Sequence, residues 1–81
     1  MTHTQAENVA DRIIKLVHEA VPASEQDTWI MQQIEVTQAD AGALTLHGGM
    51  IVGCLPAGWH IVEVNGDTRV TVRRASNGGS R

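Results

Sequence analysis

The run AGALTLHGGMIVGCLPAGWHIV, residues 41–62, decides how this chain folds: its 22 residues include no Asp, Glu, Lys or Arg. That is enough to cross a bilayer as a helix. Gly42, Gly48, Gly49, Gly53, Gly58 and Pro56 interrupt it, however, and no neighbouring helices are present to satisfy a broken backbone. The run therefore reads as non-membrane, with strands and turns that shun charge because they are buried in a core or against a partner. Asp40-Ala41-Gly42 reads as a turn and Ala43–Leu46 as a strand. Gly48-Gly49 suits a two-residue hairpin loop, since both positions tolerate positive φ. Met50–Val52 opens the next strand, and Leu55-Pro56-Ala57-Gly58 ends it with a proline-initiated turn.

Toward the C-terminus, Trp59–Val64, Asn65-Gly66 and Thr68–Arg73 make the clearest hairpin in the chain. Two registers are open. A two-residue Asn65-Gly66 loop places Trp59, Ile61, Val70 and Val72 on one face, and Asn-Gly is the preferred type I′ pair. A three-residue Asn65-Gly66-Asp67 loop aligns Val62, Val64, Val70 and Val72 and turns Trp59 and Ile61 to the reverse. A one-residue slip exchanges the faces completely. The segment Leu55-Pro56-Ala57-Gly58-Trp59-His60-Ile61-Val62-Glu63-Val64 resembles the turn-and-strand of PEGA-type β-sandwich repeats. The resemblance spans ten residues of 81 and has no counterpart for the N-terminal helix, so nothing is carried over from that family. Ala75–Arg81 has linker composition and reads as a flexible tail beyond a single domain over residues 1–74.

Toward the N-terminus, Ile30, Gln32, Ile34 and Val36 alternate with Met31, Gln33, Glu35 and Thr37, which predicts a strand over about 28–38. Ser24-Glu25-Gln26-Asp27 offers the competing start of a short helix reaching Gln33. Ahead of it, Val9, Ile13, Leu16, Val17 and Ala20 follow the spacing of an amphipathic helix, with Asn8, Asp11, Arg12, Lys15, His18 and Glu19 opposite. Thr4 and Glu7 fit a capping box and Pro22 stops the run, predicting a helix over 5–21. The expected fold is α+β: an N-terminal amphipathic helix packed on a four-stranded antiparallel β-meander.

Composition narrows the function. The chain has two Trp but neither Phe nor Tyr, so only Trp29 and Trp59 could stack a nucleobase. Residues 1–68 hold all nine acids against Arg12 and Lys15 alone, whereas the rest carries Arg69, Arg73, Arg74 and Arg81 and no acid. An acidic body with a basic end is not a general nucleic-acid binder. Arg69, Thr71 and Arg73 alternate along the last strand, a stripe able to touch phosphates or to guard a sheet edge. The single Cys54 makes no internal disulfide, and no signal-peptide pattern opens the chain, which together suit the cytoplasm.

No catalytic constellation is legible. Cys54 with His47 and His60 lacks a partner carboxylate, and their spacing of seven and six positions matches no zinc pattern, so neither metal nor cofactor is expected. Gly48-Gly49 with Gly53 lacks the Lys-Ser/Thr of a phosphate loop. The reading that remains is a small non-enzymatic protein–protein interaction module, an inhibitor-like accessory protein or a small subunit, or a homo-oligomer. Its contact would lie in the uncharged region, through Ile51, Val52 and Trp59. The alternative is a nucleic-acid-associated regulator using Arg69, Arg73 and Arg74.

Overall fold

The computed structural model describes residues 1–66 and 68–75. Five elements succeed one another: α1 (His3–Ala20), β1 (Met31–Glu35), α2 (Gln38–Val52), β2 (Trp59–Asn65) and β3 (Arg69–Arg74), with a 3-10 turn at Ala23–Glu25. The sheet has the order β1-β3-β2, and both pairings are antiparallel. β1 and β2 therefore run parallel with β3 between them, and α2 is the crossover that joins them. The protein is α+β as expected, but with two helices and three strands in place of one helix and a four-stranded meander.

α1 begins two residues earlier than its spacing suggests. Thr2 is the N-cap, its hydroxyl accepting from Gln5 N–H at 3.1 Å while the Gln5 side chain accepts from Thr2 N–H at 2.8 Å. Two cap patterns overlap here, Thr2/Gln5 and Thr4/Glu7, and the outer one is used. Ala6, Val9, Ala10, Ile13 and Val17 form the buried face. Beyond Pro22 the Gln26 amide donates to the carbonyls of Val21 (2.7 Å) and His18 (3.2 Å), satisfying acceptors the helix end leaves open. The strand expected over 28–38 is trimmed to Met31–Glu35. At its start, Thr28 and Trp29 N–H both donate to the Glu25 carbonyl. At its end, Thr37 turns to cap α2.

α2 is the main correction. The turn at Asp40–Gly42, the strands at 43–46 and 50–52, and the Gly48-Gly49 hairpin loop are all parts of one helix. Thr37 caps it, with Oγ1 accepting from Asp40 N–H at 3.1 Å, and Ala39, Ala41, Ala43, Leu44 and Leu46 are strong helix formers that carry it forward. A kink at His47 (φ −133°, ψ 31°) interrupts it just before the glycine pair. Neither Gly48 nor Gly49 has a positive φ; among the described residues that conformation occurs at Gly58 (+87°) and Gly66 (+53°). Gly58 completes the turn in which Trp59 N–H donates to the Pro56 carbonyl at 3.1 Å. The turn around Pro56–Gly58 and the strand after it form as expected, within a domain that is not a sandwich.

The final hairpin follows neither simple register. Ile61 pairs with Val72 and Trp59 with Arg74, then a bulge at Val62 shifts the ladder so that Glu63 faces Thr71 and Val64 faces Val70. The extra residue puts Trp59, Ile61 and Val64 all on the side of Val70 and Val72, which no bulge-free pairing can do. Asn65 and Arg69 form the innermost pair; residue 67, on which the three-residue loop depended, lies outside the described residues. So does the expected tail, apart from Ala75, whose N–H donates to the Gly58 carbonyl at 2.9 Å.

Both helices lie on the inner face of the sheet. One core joins Ile13 and Val17 of α1, Leu44 and Ile51 of α2, and Ile34, Trp59, Val70 and Val72 of the strands. Among the described residues no helix is long and apolar enough to cross a membrane.

Candidate functional site

The residues singled out from the sequence fall into three places. Ile51 and Trp59 belong to the core, Ile51 with no exposed surface at all, and Val52 is half-buried beside it. Trp59 meets Trp29 edge-on, with ring centroids 5.0 Å apart at 90°, and His18 packs edge-on at 6.1 Å. These rings close the end of the core where α1 finishes and β2 begins.

The arginines divide. β3 is the central strand, so Arg69 and Arg73 do not guard an edge. They are exposed on the outer face, Arg69 opposite Glu35 and Asn65, and Arg73 opposite Met31 and His60. Arg74 is turned inward: its guanidinium lies 4.6 Å from the Trp29 ring centroid and donates to the carbonyls of Trp29 (3.1 Å) and Gln26 (3.2 Å). The stripe thus offers two free cations rather than three, flanked by Glu35 and Glu63.

Cys54 and the histidines are not gathered. Cys54 is half-buried after α2, His47 lines a cleft against the N-terminal turns of α1, and His60 sits on the exposed outer side of the sheet. Among the described residues no three His, Cys, Asp or Glu side chains come together as metal ligands. Among the described residues the one buried charged side chain is Asp40, which accepts from Arg12 Nε and Nη2, each at 2.8 Å. This fork ties α1 to the first turn of α2. It holds the Arg12 guanidinium above its ordinary pKa, chiefly through the hydrogen bond and secondarily through the carboxylate charge, against desolvation.

What the sequence reading did not single out is the other side of α2. Leu46 is 77% exposed and Met50, one turn on, 45%, with Gly42 and Gly49 exposed on the same helix and Gly53 exposed at its C-cap. A helix that is apolar on every side is ordinarily buried on every side. Beside it runs a groove of about 440 Å³ whose helix wall is Leu44, Gly48, Gly49 and Val52 and whose opposite wall is Ile61–Val64 of β2. A Cβ built on Gly48 or Gly49 would meet nothing within 4 Å. The signal that would have revealed this surface was the Thr37-x-x-Asp40 cap ahead of an apolar run, a helix start that the glycine pair obscured.

The fold and this surface together define a small split β-α-β domain, with an extra N-terminal helix and an uncovered apolar flank. Comparison with protein-family models, with characterised proteins and with solved structures returned no match to this chain.

Proposed function

We propose that this chain is a small non-enzymatic interaction domain that docks a larger protein through the mainly apolar flank formed by α2 and β2. The observation that carries this reading is the exposure of Leu46, Met50 and Val62, the last at 52%, inside a 22-residue stretch free of charge. Single exposed apolar residues are commonplace, but Leu46 and Met50 follow one another a turn apart on α2 and Val62 lines the groove beside that helix, a concentration that marks contact surfaces. Relative to the expectation from sequence, the contact moves from Ile51 and Trp59, which the core consumes, to side chains on the opposite face of the same stretch.

The test is a tagged pull-down from source-cell lysate, with and without nuclease, comparing the wild type with Leu46→Asp/Met50→Asp and with Arg69→Glu/Arg73→Glu. The expected result is a stoichiometric protein that survives nuclease and is lost from the Leu46/Met50 variant. Material lost on nuclease treatment and from the arginine variant would replace this reading with a nucleic-acid regulator. A protein partner held equally by all three would overturn the surface.

A further inference from the structure

Building on that reading, we infer that the groove between α2 and β2 takes an extended, mainly apolar peptide segment that adds as a strand to the free edge of β2, with a Lys or Arg of that segment set against Glu63. Three features of the groove lead there.

The first is its wall. Ile61, Val62, Glu63 and Val64 all line it. β2 is an outermost strand of the sheet, so the groove between it and α2 borders the sheet's edge. β2 is hydrogen-bonded to β3 on one side, and among the described residues nothing pairs with its other side. An edge leaves a row of backbone donors and acceptors facing outward, and an extended backbone is the partner that satisfies them in register.

The second is the glycine pair opposite. Gly48 and Gly49 have ordinary φ values, and added Cβ atoms would meet nothing. Neither the backbone nor the packing of this chain requires glycine there, although each glycine weakens a helix relative to alanine. What their missing side chains create is the space between α2 and the strand edge, about 440 Å³, within the roughly 300–1,000 Å³ of ligand sites.

The third is charge. Glu63 is the one charged residue lining the groove. Antiparallel pairing of two copies centred within Ile61–Val64 would bring two Glu63 carboxylates within a few positions of each other, which disfavours a second copy. A heterologous segment bearing a base meets the same carboxylate favourably. The bulge at Val62 sets the extent: it breaks the regular spacing of the edge, so pairing stays short instead of propagating as an open ladder.

The experiment selects phage-displayed random linear dodecapeptides on the immobilised full chain, then titrates the enriched peptide as a fluorescein conjugate. Expected are alternating apolar residues with a Lys or Arg in the enriched peptides, and amide shift changes centred on Ile61–Val64, Gly48 and Gly49. Gly49→Leu should melt no lower than wild type yet bind about tenfold or more weakly, and Glu63→Lys should weaken the same peptide. The inference is overturned by absence of enrichment, by shift changes on the Arg69–Arg73 face, by wild-type affinity in Gly49→Leu, or by a dimer that Gly49→Leu dissociates. If Gly49→Leu keeps the pull-down partner that Leu46→Asp/Met50→Asp loses, the docking function stands and the groove is not its seat. If all these variants keep it, both fall.

Discussion

Arg74 lies with its guanidinium carbon 4.6 Å from the centre of the Trp29 ring while it donates to the Trp29 and Gln26 carbonyls. One side chain thereby fastens the 21–30 connection onto the end of β3, combining a cation–π contact with two charge-assisted hydrogen bonds. Arg74→Ala should cost about 1–3 kcal/mol, since it removes that contact and leaves two carbonyls to find water. Arg69→Ala and Arg73→Ala, on the exposed face, should stay within about 0.5 kcal/mol of wild type. Urea denaturation of the three variants checks this; equal losses would mean that Arg74 is as free as its neighbours.

The Arg12–Asp40 fork joins the two helices at their one charged contact. Arg12→Ala leaves the Asp40 carboxylate buried without its partner. The loss should be about 1–3 kcal/mol, below the ~3–5 kcal/mol of a fully buried pair because water reaches the half-exposed guanidinium. Arg12→Lys should recover only part, since an ammonium cannot reproduce the two parallel bonds. A double-mutant cycle with Asp40→Asn measures the coupling directly, and additivity would show that the pair contributes nothing. Because the Arg12 pKa is raised in the fold, its share of stability is fully present below the unfolded value. It is lost only as pH climbs through the folded value, so the contribution is constant across neutral pH.

How much of this was legible in the sequence differs by element. α1 was readable because its apolar spacing, stop signal and cap pattern agree, and only the choice between two overlapping caps was open. The final hairpin was readable as a hairpin, yet not in its register. The bulge at Val62 is selected by the joint burial of Trp59 on one side and Val64 on the other, a tertiary condition that local spacing does not encode. α2 was misread because apolar residues and glycines occupy every position from Ala41 to Val52 except Thr45 and His47. With both the inner and outer sides apolar, neither the 3.6 period nor the period of two stands out, and the glycines then read as turns. The same property hid the candidate site. The charge-free run was read as a contact surface, but assigning it to strands put Ile51 outward and left Leu46 unremarked.

The glycine pair provides a direct check on that correction. In a helix with ordinary φ and open space around both positions, Gly48→Ala and Gly49→Ala should each stabilise the protein by about 0.5–1 kcal/mol. At about 4–8 °C per kcal/mol for a chain this small, the rise is measurable by circular dichroism melting. In a type I′ hairpin loop the same substitutions would force alanine into positive φ and lower the melting temperature. The sign alone separates the two structures.

Leu46 and Ile51 are neighbours on α2 with opposite exposures, 77% and 0%, and substituting aspartate at each separates folding from docking. At Ile51 the carboxylate would enter the core beside Val70 and Val72 with no partner, and a chain of 81 residues has a total stability of only about 4–12 kcal/mol. Ile51→Asp should therefore be unfolded at room temperature, with narrow amide dispersion in a proton–nitrogen correlation spectrum. Leu46→Asp removes no buried contact and should remain folded, melting within a few degrees of wild type, because a solvated carboxylate on an exposed helix position costs about 0.5 kcal/mol. Its effect should appear in association alone, as loss of the partner that wild type retains. A folded Ile51→Asp would contradict the packing of α2 against the sheet. An unfolded Leu46→Asp would mean that this side chain is buried within its own chain, removing the exposed surface on which the docking function rests.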